Sequence, residues 1–219
     1  MESRSILDRP GPEPTGDLFV PATGVPRLGR LALIHGGFWR PSYDRIHLRP
    51  MAAALRDLGW EVVSLEYRRV PGDPDETVQD VRSALSAVAP DVIAGHSAGG
   101  HLALWAAATL RLKAVALAPV ADLRMAEELD LGGGAVPAFL GGPSDQRPDL
   151  DPIELPPSGA TLIHGSLDSI VPIGLSRAYV KAHPDSRLVE LAGTAHFELI
   201  DPLSDAWPIV IQELQRLLA

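Results

Sequence analysis

Val92-Ile93-Ala94-Gly95-His96-Ser97-Ala98-Gly99-Gly100-His101-Leu102-Ala103-Leu104-Trp105 is the stretch that decides the fold. Val92 to Ala94 is a short apolar run of the kind a buried strand uses. Leu102 to Ala108 continues as a helix would, rich in leucine and alanine. Between them sits Gly-x-Ser-x-Gly, at a turn so tight that side chains at the two glycine positions would collide. Such a turn pushes the Ser97 hydroxyl out of the backbone, where a substrate can reach it.

Working outward, apolar runs alternate with amphipathic stretches, which predicts an α/β chain with a mostly parallel sheet. Strands are expected at Leu31–Ile34, Glu61–Tyr67, Asp91–Ala94, Ala114–Ala118, Thr161–His164 and Arg187–Leu191, with an earlier one within Asp17–Pro21. Asp73-Pro74-Asp75-Glu76 reads as a capping box with a first-turn proline. Val78, Val81, Leu85 and Val88 then line one helical face before Pro90. Further helices are expected over Met51–Leu58, between Pro172 and Pro184, and after Ser204 as a cap, with Trp207, Val210 or Ile211, Leu214 and Leu218 facing inward. Residues 120–158 carry Gly132-Gly133-Gly134, Gly141-Gly142-Pro143 and Pro156-Pro157, and are expected to be loop with short helices near the site. The chain reads as one domain over 1–219, with no internal repeat and no large cap domain.

Composition narrows the function. The 219 residues carry a net charge of -9, which disfavours phosphate backbones and anionic lipid surfaces, so neither nucleic acid nor membrane is an expected partner. The chain has no cysteine, which excludes disulfides, a thiol nucleophile and thiolate-held metal. Met1 to Gly16 is polar and proline-rich, with no visible signal peptide, and a cytoplasmic location is the expectation. No His-Glu-x-x-His or carboxylate cluster has metal spacing, and Gly132 to Gly134 lacks the strand–turn–helix setting of a phosphate loop. No cofactor is expected.

A serine hydroxyl becomes a nucleophile when a base takes its proton and a third group holds the base. On a sheet of this type the chain order is serine, acid, histidine. Of the histidines after Ser97, His101 lies inside the helix, His164 sits at a strand end where it could be buried, and His183 precedes Pro184 at an expected surface position. His196 directly follows the last strand in a loop of small residues and is the expected base. Asp168 follows a strand through a glycine-bearing loop and is the expected acid, with Asp122 and Asp201 as alternatives. The oxyanion of acyl transfer needs amide donors. Ala98 supplies one, and His35-Gly36-Gly37-Phe38-Trp39 supplies the second through Gly37 or Phe38. His35 is read as fixing that loop, and His96 as filling the variable elbow position. Phe38, Trp39, Ile170, Val171 and Phe197 are expected to flank a small apolar substrate pocket. Arg45, Arg49, Arg68 and Arg69 read as solvated faces.

These motifs resemble the α/β-hydrolase superfamily from Leu31 onward. His35-Gly36-Gly37-Phe38-Trp39 looks like the HGGxW loop of arylformamidases and related bacterial carboxylesterases, and Gly95 to Ala103 is similar to the elbow of that group. Phe38 stands where hormone-sensitive-lipase-like esterases carry a third glycine. The resemblance implies Ser97 as nucleophile, Asp168 as acid and His196 as base, hydrolysing small carboxylic esters or aryl formamides without a cofactor. It also implies shortened antiparallel strands at the start of the sheet. A prolyl-oligopeptidase-type peptidase usually carries a large additional domain, for which this chain has no room. A non-catalytic ligand-binding protein of the same fold would lack a triad member, whereas all three candidates are present.

Overall fold

The computed structural model describes residues 4–5 and 16–218. Residues 6–15 of the polar, proline-rich start lie outside the described residues. The strands are β1 (Arg4–Ser5), β2 (Gly16–Phe19), β3 (Gly29–Ile34), β4 (Trp60–Leu65), β5 (Val92–His96), β6 (Ala114–Leu117), β7 (Thr161–Gly165) and β8 (Arg187–Leu191). They form one sheet in the order β1-β2-β4-β3-β5-β6-β7-β8. β1, β2 and β4 pair antiparallel, and every pair from β4 to β8 is parallel. The helices are α1 (Arg49–Asp57), α2 (Pro74–Val88), α3 (Ala98–Leu110), α4 (Leu123–Glu128), α5 (Ala135–Leu140), α6 (Gly174–Ala182) and α7 (Trp207–Arg216).

Side chains of a strand alternate between faces, and both faces of this sheet are covered. Leu31 and Leu33 of β3 join one apolar cluster with Leu55 of α1 and Leu214 of α7. Ala32 and Ile34 join the other, with Val81 of α2, Leu102 of α3 and Tyr179 of α6. The inward stripe of α2 is the one its periodicity predicts, each buried aliphatic side chain contributing ~1.5–3 kcal/mol. α3 is buried from Ala98 to Ala107, so it is apolar all round rather than amphipathic. Among the described residues, no helix is long and apolar enough to cross a membrane.

β3 lies between β4 and β5, so the chain runs outward from β3 in both directions. Loops leaving the C-terminal ends of strands beside such a reversal open a crevice at one edge of the sheet. The loops after β3, β5, β7 and β8 all leave from that edge.

Two expected caps are absent. Asp73 makes no side-chain cap bond at α2: its backbone N–H donates to Val70 O at 3.0 Å, and Glu76 pairs with Arg68 instead of reaching back. Ser204 does not cap α7, whose N-cap is Ala206; its hydroxyl donates to Glu198 O at 2.6 Å. The segment 120–158 holds α4, α5 and two 3-10 turns, Ser144–Gln146 and Pro152–Glu154, between β6 and β7.

Candidate active site

Ser97 sits between β5 and α3 with φ 58 and ψ -119, a conformation that costs a non-glycine residue ~1–3 kcal/mol. Its surroundings over-determine it: Ser97 N–H donates to Leu117 O at 2.9 Å, and Ser97 O accepts from His101 N at 3.0 Å and Val120 N at 3.3 Å. A Cβ at Gly95 would overlap the Gly99 carbonyl, and one at Gly99 would overlap the carbonyls of Ile34 and His35. The two glycines of the motif are therefore required by backbone crowding around the serine.

The loop after β3 presses on this turn. A Cβ at Gly36 would lie 2.9 Å from Ser97 Cβ. Gly37, Phe38 and Trp39 follow with φ of 109, 52 and 54, three successive left-handed residues that turn their amides away from regular pairing. Among the described residues, the N–H groups of Gly37, Phe38 and Ala98 have no acceptor. The last of these is a free donor because it opens a helix.

His35 anchors the loop from below. Its ring stacks on Tyr67 at 4.3 Å between centroids, Nδ1–H donates to Gly36 O at 2.8 Å, and Tyr67 Oη donates to His35 O at 2.7 Å. Nε2 lies 3.1 Å from Glu66 Oε1. Burial alone would raise the Glu66 carboxyl, but hydrogen bonds and charge from His35 and Arg69 hold it well below the usual carboxylate range. Glu66 also accepts from Arg45 Nη1 at 3.1 Å, and Arg45 Nη2 reaches Asp17 at 3.1 Å. The arginines expected to be solvated are thus engaged. Arg45 and Arg69 belong to this network, Arg49 Nε donates to Asp17 at 3.0 Å, and Arg68 Nη2 to Asp80 at 2.6 Å. Arg49 and Arg68 nevertheless stay exposed, as solvated residues do, while Arg45 and Arg69 are partly buried.

On the far side of the crevice, His196 Nδ1 lies 2.6 Å from Asp168 Oδ2. Asp168 Oδ1 accepts the backbone N–H groups of Ile170 at 2.9 Å and Val171 at 2.8 Å. Burial opposes its charge, yet hydrogen bonds from His164 and His196 hold it well below the usual range. The two loops are tied beyond the strands, since Ser166 N donates to Leu191 O and Leu167 N to Thr194 O, both at 2.9 Å. His96 completes the link to the elbow: its Nε2–H donates to His196 O at 3.1 Å and the two rings lie 4.4 Å apart. Burial, with His196 nearby, lowers His96 to about 3, so it is neutral.

Ser97 and His196 line one cavity of about 430 Å³, together with Gly37, Phe38, Tyr43, His47, His96, Ile170, Phe197 and Ile200. Each is 4% exposed, and among the described residues neither the Ser97 hydroxyl nor His196 Nε2 has a hydrogen-bond partner. Phe38, Ile170 and Phe197 are in the wall. Trp39 and Val171 are not. Trp39 turns into the core and stacks on Phe139 at 4.6 Å, because its left-handed backbone directs it away from the crevice. Val171 is fully buried and serves Asp168 through its backbone. The alternative acids are engaged elsewhere: Asp122 Oδ1 accepts Met125 N at 2.8 Å as the α4 cap, and Asp201 holds its own turn through Leu203 N at 2.9 Å. His101 is buried, with Nε2 2.8 Å from Leu150 O, and burial lowers it to about 4. His183, expected at the surface, is buried against Tyr179 with centroids 4.5 Å apart. No sequence signal marks Tyr43, His47 or Ile200 as wall residues, since a loop and single 3-10 turns are too short for a period to assign a face. Among the described residues, no group of three or more His, Cys, Asp or Glu could hold a metal ion.

A family described as "Alpha/beta hydrolase family" matches residues 31–208. "Probable carboxylic ester hydrolase LipM" of Mycobacterium tuberculosis is 39% identical over 89 residues, 35% of this chain and 20% of that protein. "Kynurenine formamidase" of Danio rerio is 31% identical over 113 residues, 46% of this chain and 38% of that one. The matches therefore span well under half of these curated relatives. A thermophilic esterase of Thermogutta terrifontis has a similar fold, with a TM-score of 0.71 at 21% identity over 99% of this chain and 91% of that chain.

Proposed function

We propose, for a chain that belongs to the alpha/beta hydrolase family, that Ser97, His196 and Asp168 perform acyl transfer on small uncharged esters. His196 Nε2 takes the Ser97 proton as Oγ attacks the carbonyl carbon, and Asp168 holds the ring in the Nδ1–H tautomer and stabilises its charged form. Ala98 N–H, with Gly37 or Phe38 N–H, receives the developing oxyanion at the positive end of α3, each such donor being worth on the order of 3 kcal/mol. His196 then protonates the leaving group, and water clears the acyl-enzyme through the same groups. Serine–imidazole bonds are often long without substrate and tighten as it binds, which suits the two free partners facing one cavity.

The observation that carries this reading is the 2.6 Å Nδ1–Oδ2 contact of His196 with Asp168, behind a ring that shares a cavity wall with Ser97. The wall supports that substrate class: among the described residues it contains no Lys, Arg, Asp or Glu. A formylated kynurenine would bring an ammonium and a carboxylate into it unpaired, at a high desolvation cost. Short-chain esters and uncharged aryl formamides would not. Rates on p-nitrophenyl acetate, p-nitrophenyl butyrate, formanilide and N-formylkynurenine test this. The acetate ester is expected to lead; preferred turnover of N-formylkynurenine would overturn the uncharged-substrate reading.

A further inference from the structure

His164 is a buried imidazole that the acyl-transfer scheme leaves unused. It is the penultimate residue of β7, four residues before Asp168, and its side chain is wholly buried. Its Nε2 lies 2.8 Å from Val171 O and 3.3 Å from Asp168 Oδ2. Its Nδ1 lies 2.7 Å from Ser176 Oγ on α6. A carbonyl and a carboxylate oxygen can only accept, so the proton is on Nε2 and shared between them. Nδ1 is held by the Ser176 hydroxyl, which fixes the orientation of the ring.

The Asp168 carboxylate consequently faces four N–H groups, three in hydrogen bonds and His164 Nε2–H in a longer contact. Oδ1 takes the Ile170 and Val171 amides at 2.9 and 2.8 Å. Oδ2 is divided between His196 Nδ1 at 2.6 Å and His164 Nε2 at 3.3 Å. Four N–H groups match the acceptor positions a carboxylate offers.

We infer that His164 is a positioning residue that shares Asp168 Oδ2 with His196 and so limits how strongly the carboxylate stabilises the His196 imidazolium. The inference rests on the acyl-transfer reading. A second donor to Oδ2 disperses its charge, so less is left to favour the protonated base. Through Val171 O, the same proton also braces the 168–171 turn whose amides hold Oδ1. The depressed Asp168 carboxyl agrees with this crowd of donors. The other titratable groups around His196 are His96 on the elbow, Glu198 on its own turn, and His47 and Tyr43 across the cavity. None of them is hydrogen-bonded to His164. Glu190, its register partner on β8, is held by Arg177 at 2.9 and 2.6 Å.

The test is the pH profile of kcat/KM for p-nitrophenyl acetate between about pH 5 and 9, with thermal melts for folding. His164→Phe keeps the ring volume without the donor and is expected to move the acid limb upward by ~0.5–1 pH unit. His164→Gln retains an N–H near Nε2 and is expected to return the limb towards that of the wild type. A folded His164→Phe variant whose acid limb coincides with the wild type overturns the proposal, whatever happens to kcat. If that variant does not fold, ¹⁵N-imidazole NMR of the unaltered protein decides. A proton on His164 Nε2 throughout the range supports the inference, and an Nε2 that carries no proton overturns it. Ser97→Ala in the same assays separates the two claims, because undiminished hydrolysis there removes the acyl-transfer reading itself.

Discussion

The Glu66 carboxylate joins His35 to the outer wall of the crevice: Oε1 lies 3.1 Å from His35 Nε2, while Oε2 accepts from Arg45 Nη1 at 3.1 Å. One side chain thus holds the base of the amide loop and the start of the 3-10 turn Arg45–Leu48, which carries His47 into the cavity. Glu66→Gln leaves two guanidinium groups short of a counter-charge. The expected cost is about 3 kcal/mol of stability, measured by urea unfolding, with turnover falling ~10- to 100-fold as the amide loop loosens. Wild-type stability and rate in this variant would show that the network does not brace the loop.

Asp168→Asn tests the assignment of the acid. An amide there can turn the His196 tautomer the wrong way, and kcat is expected to fall ~10⁴-fold. Asp122→Asn and Asp201→Asn are expected to leave kcat within a few-fold of the wild type, because those carboxylates cap local turns. Single-turnover kinetics of the three variants compare them directly, and unchanged kinetics in Asp168→Asn would move the acid elsewhere.

Phe38 is the residue expected to set acyl length. It stands in the cavity wall with Gly132 close against its ring, where a Cβ would come within 2.9 Å of Cδ1. Phe38→Ala is expected to raise the butyrate-to-acetate ratio of kcat/KM ~10-fold or more, since each methylene accommodated is worth ~1–3 kcal/mol. Trp39→Ala should leave that ratio alone and lower stability by ~3–5 kcal/mol, as loss of a buried aromatic does. A ratio that responds to Trp39 and not to Phe38 would reverse this division.

The pair shows where sequence reading reaches and where it stops. The sheet, its order of helices and the turn at Ser97 were legible because apolar period and glycine placement are local and repeat along the chain. Asp168 and His196 were legible as candidates because each follows a strand that the period identifies. The direction of Trp39 was not, since consecutive left-handed residues at 37–39 break the alternation that assigns a face, and that of Val171 was not, since it lies in the turn whose amides hold Asp168. The roles of Glu66, His96 and His164 were hidden for another reason. Their partners lie on other elements, at separations no local pattern encodes.

Asp151 gives a pH signature independent of activity. It is 3% exposed and caps the start of α4 through Leu123 N at 3.0 Å. Burial outweighs this bond and, with the nearby charge of Asp122, raises it from 3.8 to about 6. A folded pKa above the unfolded one means that the native state holds the proton more tightly. The contribution is complete below pH 3.8 and is lost as pH rises through about 6, an effect of ~3 kcal/mol. Asp151→Asn does not titrate there. The stability difference between wild type and variant should therefore shift against the wild type by that amount between about pH 4 and 7, measured by urea unfolding. A constant difference would contradict the raised carboxyl.

Labelling with a fluorophosphonate, followed by peptide mass mapping, tests the central claim most directly. The account predicts a single adduct on Ser97, absent from Ser97→Ala, whose esterase turnover falls on the order of a millionfold. Native protein that stays unlabelled, or an adduct on any other residue, would contradict it.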